Sequence, residues 1–184
     1  MIKIRIFIAI DFDKNTKSYF QHIKNKLENF YTKGRLTDIE NFHLTLQFIG
    51  ELEECSIPKL LNAIQECVSK HDAFSLTLDT LGSFKKRNLN ILWIGINYSE
   101  NLVRIYEELC LTLKHEKIAF DQKPLKPHIT LGRHIILKKE IGELINLLTL
   151  DNVIIPVNNI TLMESKQING KLTYVPLATL PLKH

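Results

Sequence analysis

Two short stretches decide the fold, NFHLTLQFIGEL at residues 41–52 and KPHITLGRH at residues 126–134. Each contains His, an aliphatic residue, Thr and Leu in that order, at His43–Leu46 and at His128–Leu131. Apolar residues occupy alternate positions in both, which is the period of a β-strand whose side chains point to opposite faces in turn. Both stretches are therefore predicted to be strands with one apolar face and one polar face.

The same order of elements surrounds the two motifs. In each half of the chain the apolar periodicity predicts a strand, a helix, the histidine-containing strand, a second helix and a further strand. The predicted strands are residues 2–10, 42–48 and 74–81 in the first half, and 89–96, the HITL strand, 153–164 and 172–180 in the second. The predicted helices are residues 14–31, 57–71, 100–117 and 141–148, and the polar stretch 84–90 is predicted to be a hinge.

This pattern predicts an α+β fold. We expect a bilobal duplicated architecture in which two antiparallel sheets face a central cleft and helices cover the outer faces. With 184 residues the chain is long enough to bury a core without disulfides or metals. It is predicted to be a single domain over residues 1–184, with pseudo-symmetric lobes at approximately 1–86 and 87–184.

Composition excludes several classes of protein. The formal net charge of +4 is compatible with an anionic ligand, but it is far below that of a dedicated nucleic-acid binder. No apolar run reaches the roughly 18 residues of a membrane span. The three cysteines form no C-x-x-C pair, and Cys67 and Cys110 occupy apolar helical positions, which indicates buried thiols in a reducing compartment. We expect a cytoplasmic monomer that does not bind membranes.

The polar faces of the two motif strands suggest chemistry. Strand alternation makes His43, Thr45 and Gln47 project together from the first, and His128 and Thr130 from the second. If these faces meet across a cleft, two imidazoles and two hydroxyls surround a small anion. This arrangement suits in-line displacement at phosphorus, because one imidazole accepts a proton from water while the other donates a proton to the leaving oxygen. Histidine fits both roles, since its ordinary pKa of about 6.5 allows both protonation states near neutral pH.

Two other interpretations of the motifs were weighed. A single strand histidine beside a threonine is commonly a structural hydrogen-bonding pair, but two copies at matching positions of matching halves favour a shared site. A catalytic zinc site takes three ligands from the protein, and neither motif holds Asp, Glu or Cys, so no metal is expected. Outside the motifs, His134 is predicted to be a solvated strand end, and Trp93 a core residue of an apolar strand.

Taken together, NFHLTLQFIGEL and KPHITLGR resemble the paired H-x-T-x signatures of the 2H phosphoesterase superfamily. Within it, the chain is similar to the bacterial and archaeal RNA 2′,3′-cyclic phosphodiesterases, historically called 2′-5′ RNA ligases. The similarity covers nearly the whole chain, through IRIFIAID at 4–11, LGSFKKRNLNILWIGI at 81–96 and LMESKQINGKLTYVPLATLPL at 162–182. It implies hydrolysis of 2′,3′-cyclic phosphate ends of RNA, or of cyclic nucleotides, to 2′-phosphomonoesters without metal or nucleotide cofactor.

The resemblance also implies roles for individual residues. His43 is the expected proton donor to the leaving O3′ and His128 the expected proton acceptor from water, while Thr45 and Thr130 bind the phosphoryl group. Arg133 matches a basic residue that often follows the second motif. Strict alternation points Arg133 away from the site, so its role in binding phosphate requires a β-bulge or the freedom of the preceding glycine.

One departure from the family concerns base stacking. Many relatives carry Trp ahead of the first motif, where this chain has Arg35 and Leu36, which leaves Phe84 and Trp93 as aromatic candidates for stacking on a base.

Two alternatives to hydrolysis stay open. The first is a module that binds a nucleotide or an RNA end without turnover, and the second is 2′-5′ RNA ligation as the reverse reaction in the same site.

Overall fold

The structure, a computed structural model, describes residues 2–183. Its strands are β1 (Lys3–Asp11), β2 (Tyr31–Leu36), β3 (His43–Glu53), β4 (Phe74–Lys86), β5 (Leu89–Ile96), β6 (His128–Leu137), β7 (Ile154–Val157), β8 (Asn159–Ile168) and β9 (Lys171–Pro181). Its α-helices are α1 (Lys14–Lys26), α2 (Ile57–Val68), α3 (Glu100–His115) and α4 (Ile141–Leu147). Within residues 2–183, no helix has the length and apolar character needed to cross a membrane.

The strands pair antiparallel in the order β7-β4-β5-β6-β3-β1-β8-β9, and β2 also pairs with β6. The predicted α+β class with antiparallel strands is confirmed. The two motif strands β3 and β6 are direct neighbours through the pair Leu44 and Ile129, which joins the two ends of the sheet into one continuous path. Sequence halves interleave along this path, because β4 pairs with β5 and β7 while β8 and β9 lie beside β1.

The two faces of the sheet have different environments. On β1, Ile8 is fully buried and belongs to one cluster with Phe20 of α1, Ile64 of α2 and Ile105 of α3, so these helices cover one face. The opposite face carries Phe7 with a smaller apolar group that includes Ala9 and Met163. This second face, which we call the cleft face, also carries His43, because its ring lies 4.9 Å from that of Phe7.

In the first half, one predicted helix is too long and one strand was not predicted. The helix predicted over 14–31 ends at Lys26, and Tyr31–Leu36 forms β2, which the sequence analysis missed. The segment YTKGRL has no apolar alternation, so its strand conformation depends on pairing with β6. Such pairing between distant segments is a tertiary interaction that local periodicity does not report.

Two further predictions, a hinge at 84–90 and a single strand at 153–164, differ from the structure. The hinge predicted at 84–90 is wrong, because β4 and β5 form a tight hairpin in which Lys86 pairs with Leu89. Arg87 takes the left-handed conformation, with φ of 58°, that such a turn requires. The single strand predicted at 153–164 is divided, since β7 pairs with β4 whereas β8 pairs with β1.

Trp93 was predicted to be a core residue, and this prediction is wrong. It is only partly buried, and it pairs with Gly82 on one side and Thr130 on the other. A Cβ atom at Gly82 would lie 2.2 Å from the indole ring, so the ring occupies the space that this glycine leaves open. The apolar pattern of β5 misled because Trp93 lies on the cleft face, where it packs against the ring of Phe84 and stays partly exposed.

Gly82→Ala is therefore expected to displace the indole and to lower the free energy of unfolding by about 1–3 kcal/mol, the usual cost of overpacking. Trp93 is the only tryptophan in the chain, so its fluorescence emission should change in the folded variant. Urea unfolding followed by this emission measures both effects. Gly142→Ala on α4 is the matched control, because a Cβ there meets no atom within 4 Å. Equal behaviour of the two variants would contradict the proposed packing.

Candidate active site

The pair Leu44 and Ile129 brings the two motifs together. Both side chains are fully buried on the helix-covered face, so the residues on either side of them project from the cleft face. In this register His43 and His128 are diagonal neighbours on adjacent strands, a relation that places Cα atoms about 7–8 Å apart. The two histidines therefore occupy neighbouring positions on one face of the sheet.

His43 is held by hydrogen bonds and by aromatic rings. Its Nδ1 donates to the Asn41 carbonyl oxygen at 2.8 Å, which leaves Nε2 as the atom available for proton transfer. Thr45 Oγ1 lies 3.0 Å from this Nε2 and donates to it when the imidazole is neutral. The ring packs between Phe7 at 4.9 Å and Tyr174 at 5.0 Å, measured between centroids. These contacts fix both the tautomer and the orientation of the ring.

His128 repeats this arrangement. Its Nδ1 donates to the Lys126 carbonyl oxygen at 2.6 Å, again the carbonyl two residues earlier in the chain. Its ring packs edge-on against Phe84, with centroids 5.1 Å apart, and lies 6.3 Å from Trp93. Each histidine therefore has Nδ1 bound to backbone, Nε2 turned away from that carbonyl, and two aromatic neighbours.

Thr45 lies between two adjoining cavities of the cleft face. One cavity, of about 320 Å³, contains His43, and the other, of about 340 Å³, contains His128. Thr45 and Phe48 line both cavities, so the two histidines belong to one groove. The predicted residues His43, His128 and Thr45 are thus brought together.

Thr130 occupies the corresponding position of the second motif. It shares the cleft face with His128 by strand alternation, and it pairs with Trp93 of β5. Thr130 lines neither of the two cavities, in contrast to His43, His128, Thr45 and Arg133.

A bulge in β3 alters the prediction for Gln47. The pairing register of β1 and β3 shifts between Thr45 and Gln47, which places an extra residue in β3 and reverses the alternation. Gln47 is buried and its Nε2 donates to the Asp121 carbonyl oxygen at 2.8 Å. The prediction that Gln47 shares the polar face with His43 is therefore wrong, and Phe48 takes the next position on the cleft face.

The bulge that Arg133 needs is present in β6. The register between β5 and β6 shifts on both sides of Gly132, and His134 has a left-handed φ of 57°. Leu131 and Ile135 are fully buried, whereas Arg133 between them is exposed and lines the cavity that contains His43. Local irregularity of the strand thus turns Arg133 onto the cleft face. His134 is exposed, as predicted, although it lies within the strand.

The electrostatic environment differs between the two histidines. Burial is the main cause that lowers the pKa of His43 from 6.5 to about 4, and the positive charges of Arg133 and His128 lower it further. The hydrogen bond to the Asn41 carbonyl and the charge of Asp11 act in the opposite direction. Burial also lowers the pKa of His128, and Arg133 contributes there too. The neutral form of each imidazole is therefore favoured at pH 7.

Several residues of the site were missed by sequence reasoning. Arg5, Phe7 and Tyr174 line the His43 cavity, and Arg5 lies over the Phe48 ring with its Cζ 5.1 Å from the centroid. Arg5 and Phe7 come from β1, which pairs with β3, and Tyr174 comes from β9, which reaches the site through its pairing with β8. The motifs do not encode either pairing. The sequence contains an indication for Phe7 alone, because the alternation of β1 places it on the face opposite the isoleucines.

Asn41 connects the first motif to the end of the chain. It is buried, its Nδ2 donates to the Leu172 carbonyl oxygen at 2.9 Å, and its Oδ1 accepts from the Tyr174 backbone N–H at 3.0 Å. Its own carbonyl accepts from His43. One side chain therefore positions β9 so that Tyr174 packs against the imidazole.

Comparison with known proteins identifies the family. The family model for the 2′-5′ RNA ligase superfamily matches residues 14–168. A Thermotoga maritima protein named RNA 2′,3′-cyclic phosphodiesterase is 34% identical over 131 residues, covering 71% of this chain and 70% of that relative. A Methanocaldococcus jannaschii protein of the same name is 33% identical over 136 residues, covering 71% of each chain. The chain belongs to the 2′-5′ RNA ligase superfamily, as the paired motifs predicted.

Solved structures agree on the fold. Escherichia coli LigT complexed with 3′-AMP superposes with a TM-score of 0.80 at 24% identity, and 100% of both chains is covered. The protein TT0787 of Thermus thermophilus gives a TM-score of 0.79 at 20% identity, with 98% of both chains covered. At these identities the likeness supports the architecture alone.

The lowered pKa of His43 leads to a prediction for anion binding. An anion beside the imidazole stabilises its protonated form, so the affinity for sulfate should rise as the pH falls from 7 towards 5. The limit is about tenfold per pH unit for uptake of one proton. Calorimetry in buffers of different ionisation enthalpy measures the affinity and the proton count. His43→Gln should reduce this dependence and His22→Gln, on the exposed side of α1, should not. An affinity for sulfate that is constant with pH would exclude the coupling.

Proposed function

We propose that this protein hydrolyses 2′,3′-cyclic phosphate ends of RNA to 2′-phosphomonoesters by general acid–base catalysis at His43 and His128. The observation that carries the proposal is the pair of imidazoles on one face, each with Nδ1 bound to a backbone carbonyl oxygen, so that Nε2 is the nitrogen that can exchange a proton with the substrate. The substrate class follows from the names of the relatives from T. maritima and M. jannaschii.

The reaction is an in-line displacement at phosphorus. Water attacks, its proton passes to Nε2 of His128, and the bond between phosphorus and O3′ breaks as Nε2 of His43 donates a proton to O3′. The phosphate stays on O2′. The assignment of donor and acceptor follows the family resemblance. After turnover His43 is neutral and His128 is protonated, so proton exchange with solvent restores the starting state.

The remaining groups bind the phosphoryl oxygens. Thr45 and Thr130 supply hydroxyl donors, and Arg133 supplies a guanidinium where negative charge accumulates in the transition state. Arg133 is suited to this role because it lines the His43 cavity and forms no ion pair with a carboxylate in residues 2–183. The substrate anion offsets the arginine charge and raises the pKa of His43, so substrate binding itself protonates the acid. This mechanism uses no metal ion and no nucleotide cofactor.

Removal of either imidazole should stop proton transfer. His43→Ala and His128→Ala are each expected to lower kcat for 2′,3′-cyclic AMP by about 10²–10⁴-fold, the usual contribution of a positioned acid or base. Initial rates followed by separation of 2′-AMP measure the effect. His22→Ala is the matched control, because this exposed histidine lies on α1.

Three outcomes decide the proposal. Near-normal turnover in either variant would refute the acid–base assignment. Loss of turnover on addition of EDTA would show that a metal ion takes part. Binding of 2′,3′-cyclic AMP to the wild-type protein without any product would instead identify a binding module.

The pH profile gives an independent test. Because the pKa values of both His43 and His128 lie below 6.5 in the free protein, kcat/KM should follow a bell whose maximum lies below pH 6.5. The alkaline limb of kcat should lie at higher pH than that of kcat/KM, since bound substrate raises the pKa of His43. Steady-state rates between about pH 4 and 9, a range that includes the ordinary histidine pKa, measure the pH dependence of kcat and of kcat/KM. A maximum of kcat/KM above pH 7 would rule out this ionisation scheme.

A further inference from the structure

Arg35 and Arg133 face one another across the pairing of β2 with β6. They are directly opposite in the register, so their side chains share one face of this strand pair. Like charges in this position are destabilising. Neither guanidinium forms an ion pair with a carboxylate in the part of the chain that the structure describes. Two adjacent, uncompensated cations indicate a place where a bound anion offsets their repulsion.

Both arginines line a third cavity, of about 450 Å³. Its other charged residues are Asp38 and Lys171, which form an ion pair with each other and so contribute no net charge. The cavity adjoins the His43 cavity, because Arg133, Leu172 and Tyr174 line both. An anion bound by Arg35 therefore lies in the cavity next to the one that contains His43.

The chemistry of the terminal nucleotide sets the direction of the RNA. In-line displacement places water and O3′ on opposite sides of phosphorus, so the ribose that carries O3′ lies on the side of the acid, His43. The cavity on that side is lined by Phe7, Phe48 and Tyr174, which offer apolar surface to a ribose and its base. The 450 Å³ cavity adjoins this one, and Leu36 and Leu172 add further apolar surface there.

We propose that Arg35, beside Arg133, binds the phosphodiester immediately 5′ to the terminal nucleotide. The site then takes an RNA oligonucleotide in preference to a cyclic mononucleotide, which lacks this phosphodiester. Arg133, at the junction of the two cavities, has enough donors to serve both phosphates. This inference rests on the proposed function, and it adds the substrate length that the site selects.

The test compares two substrates, 2′,3′-cyclic AMP and the trinucleotide AAA that ends in a 2′,3′-cyclic phosphate. The wild-type protein should have the lower KM for the trinucleotide. Arg35→Gln should raise that KM about tenfold or more, since a hydrogen bond to a charged group is lost, and leave kcat unchanged. Turnover of cyclic AMP should stay at the wild-type value. The slope of log KM against log salt for the trinucleotide should fall by about 0.7, as expected for one phosphate contact of a single strand.

Lys33→Gln is the matched control. Lys33 lies on the same strand and does not line the cavity, and its substitution removes the same charge. Lys123→Gln tests the opposite exit of the groove, because Lys123 lines the His128 cavity. The proposal is overturned if the wild-type protein handles both substrates equally, if Arg35→Gln impairs cyclic AMP as much as the trinucleotide, or if either lysine variant has the same effect as Arg35→Gln.

Binding of a product separates this inference from the proposed function. The trinucleotide AAA with a terminal 2′-phosphate and the mononucleotide 2′-AMP are titrated into wild-type protein and Arg35→Gln by calorimetry. Tighter binding of the trinucleotide that Arg35→Gln abolishes supports the phosphodiester subsite even if neither cyclic substrate is turned over. Equal affinities for the two products in the wild-type protein would overturn it even if hydrolysis is observed.

Discussion

The contact between Leu44 and Ile129 is the interaction on which the site depends. It is the one paired position between β3 and β6, and both side chains are fully buried against the helices. Because strand side chains alternate, burial of these two residues forces the histidines and threonines beside them onto the opposite face. The distance between the two imidazoles is thus set by the spacing of adjacent strands. The hydrophobic core determines the geometry of the polar site.

Backbone carbonyl groups and aromatic side chains orient the imidazoles of His43 and His128, which the pairing of β3 with β6 brings together. Each histidine donates to the carbonyl oxygen two residues earlier and lies beside two aromatic rings from other strands. The same contacts that fix the rings also remove water from them, which is why burial lowers both pKa values. Arg133 adds to this effect and at the same time attracts an anion. In the proposed reaction, the charge of the bound phosphate offsets an environment that otherwise disfavours a protonated imidazole.

The sequence allowed much of this arrangement to be predicted, for identifiable reasons. Period-two alternation located β1 and β3, a run of apolar residues located β5, and the duplicated motif was enough to pair His43 with His128. The failures have two causes. A bulge changed the face of Gln47, and the position of a bulge leaves no mark in apolar periodicity, although the one beside Arg133 was the condition stated for its role. Long-range pairing created β2 and brought β9 to the site, and neither segment has a local pattern that reveals its partner.

The interleaving of strands has a consequence for how the molecule is made. During synthesis from the amino terminus, β1 can pair with β3 early, but its other edge stays open until β8 has left the ribosome. Tyr174, which packs against the first histidine, arrives later still on β9. Pairings between such distant segments are slow to form, because the chain loses the entropy of closing a long loop before the stabilising contacts are made. The pocket around His43 is therefore completed only when nearly the entire polypeptide has emerged, so a truncated chain lacks part of its wall.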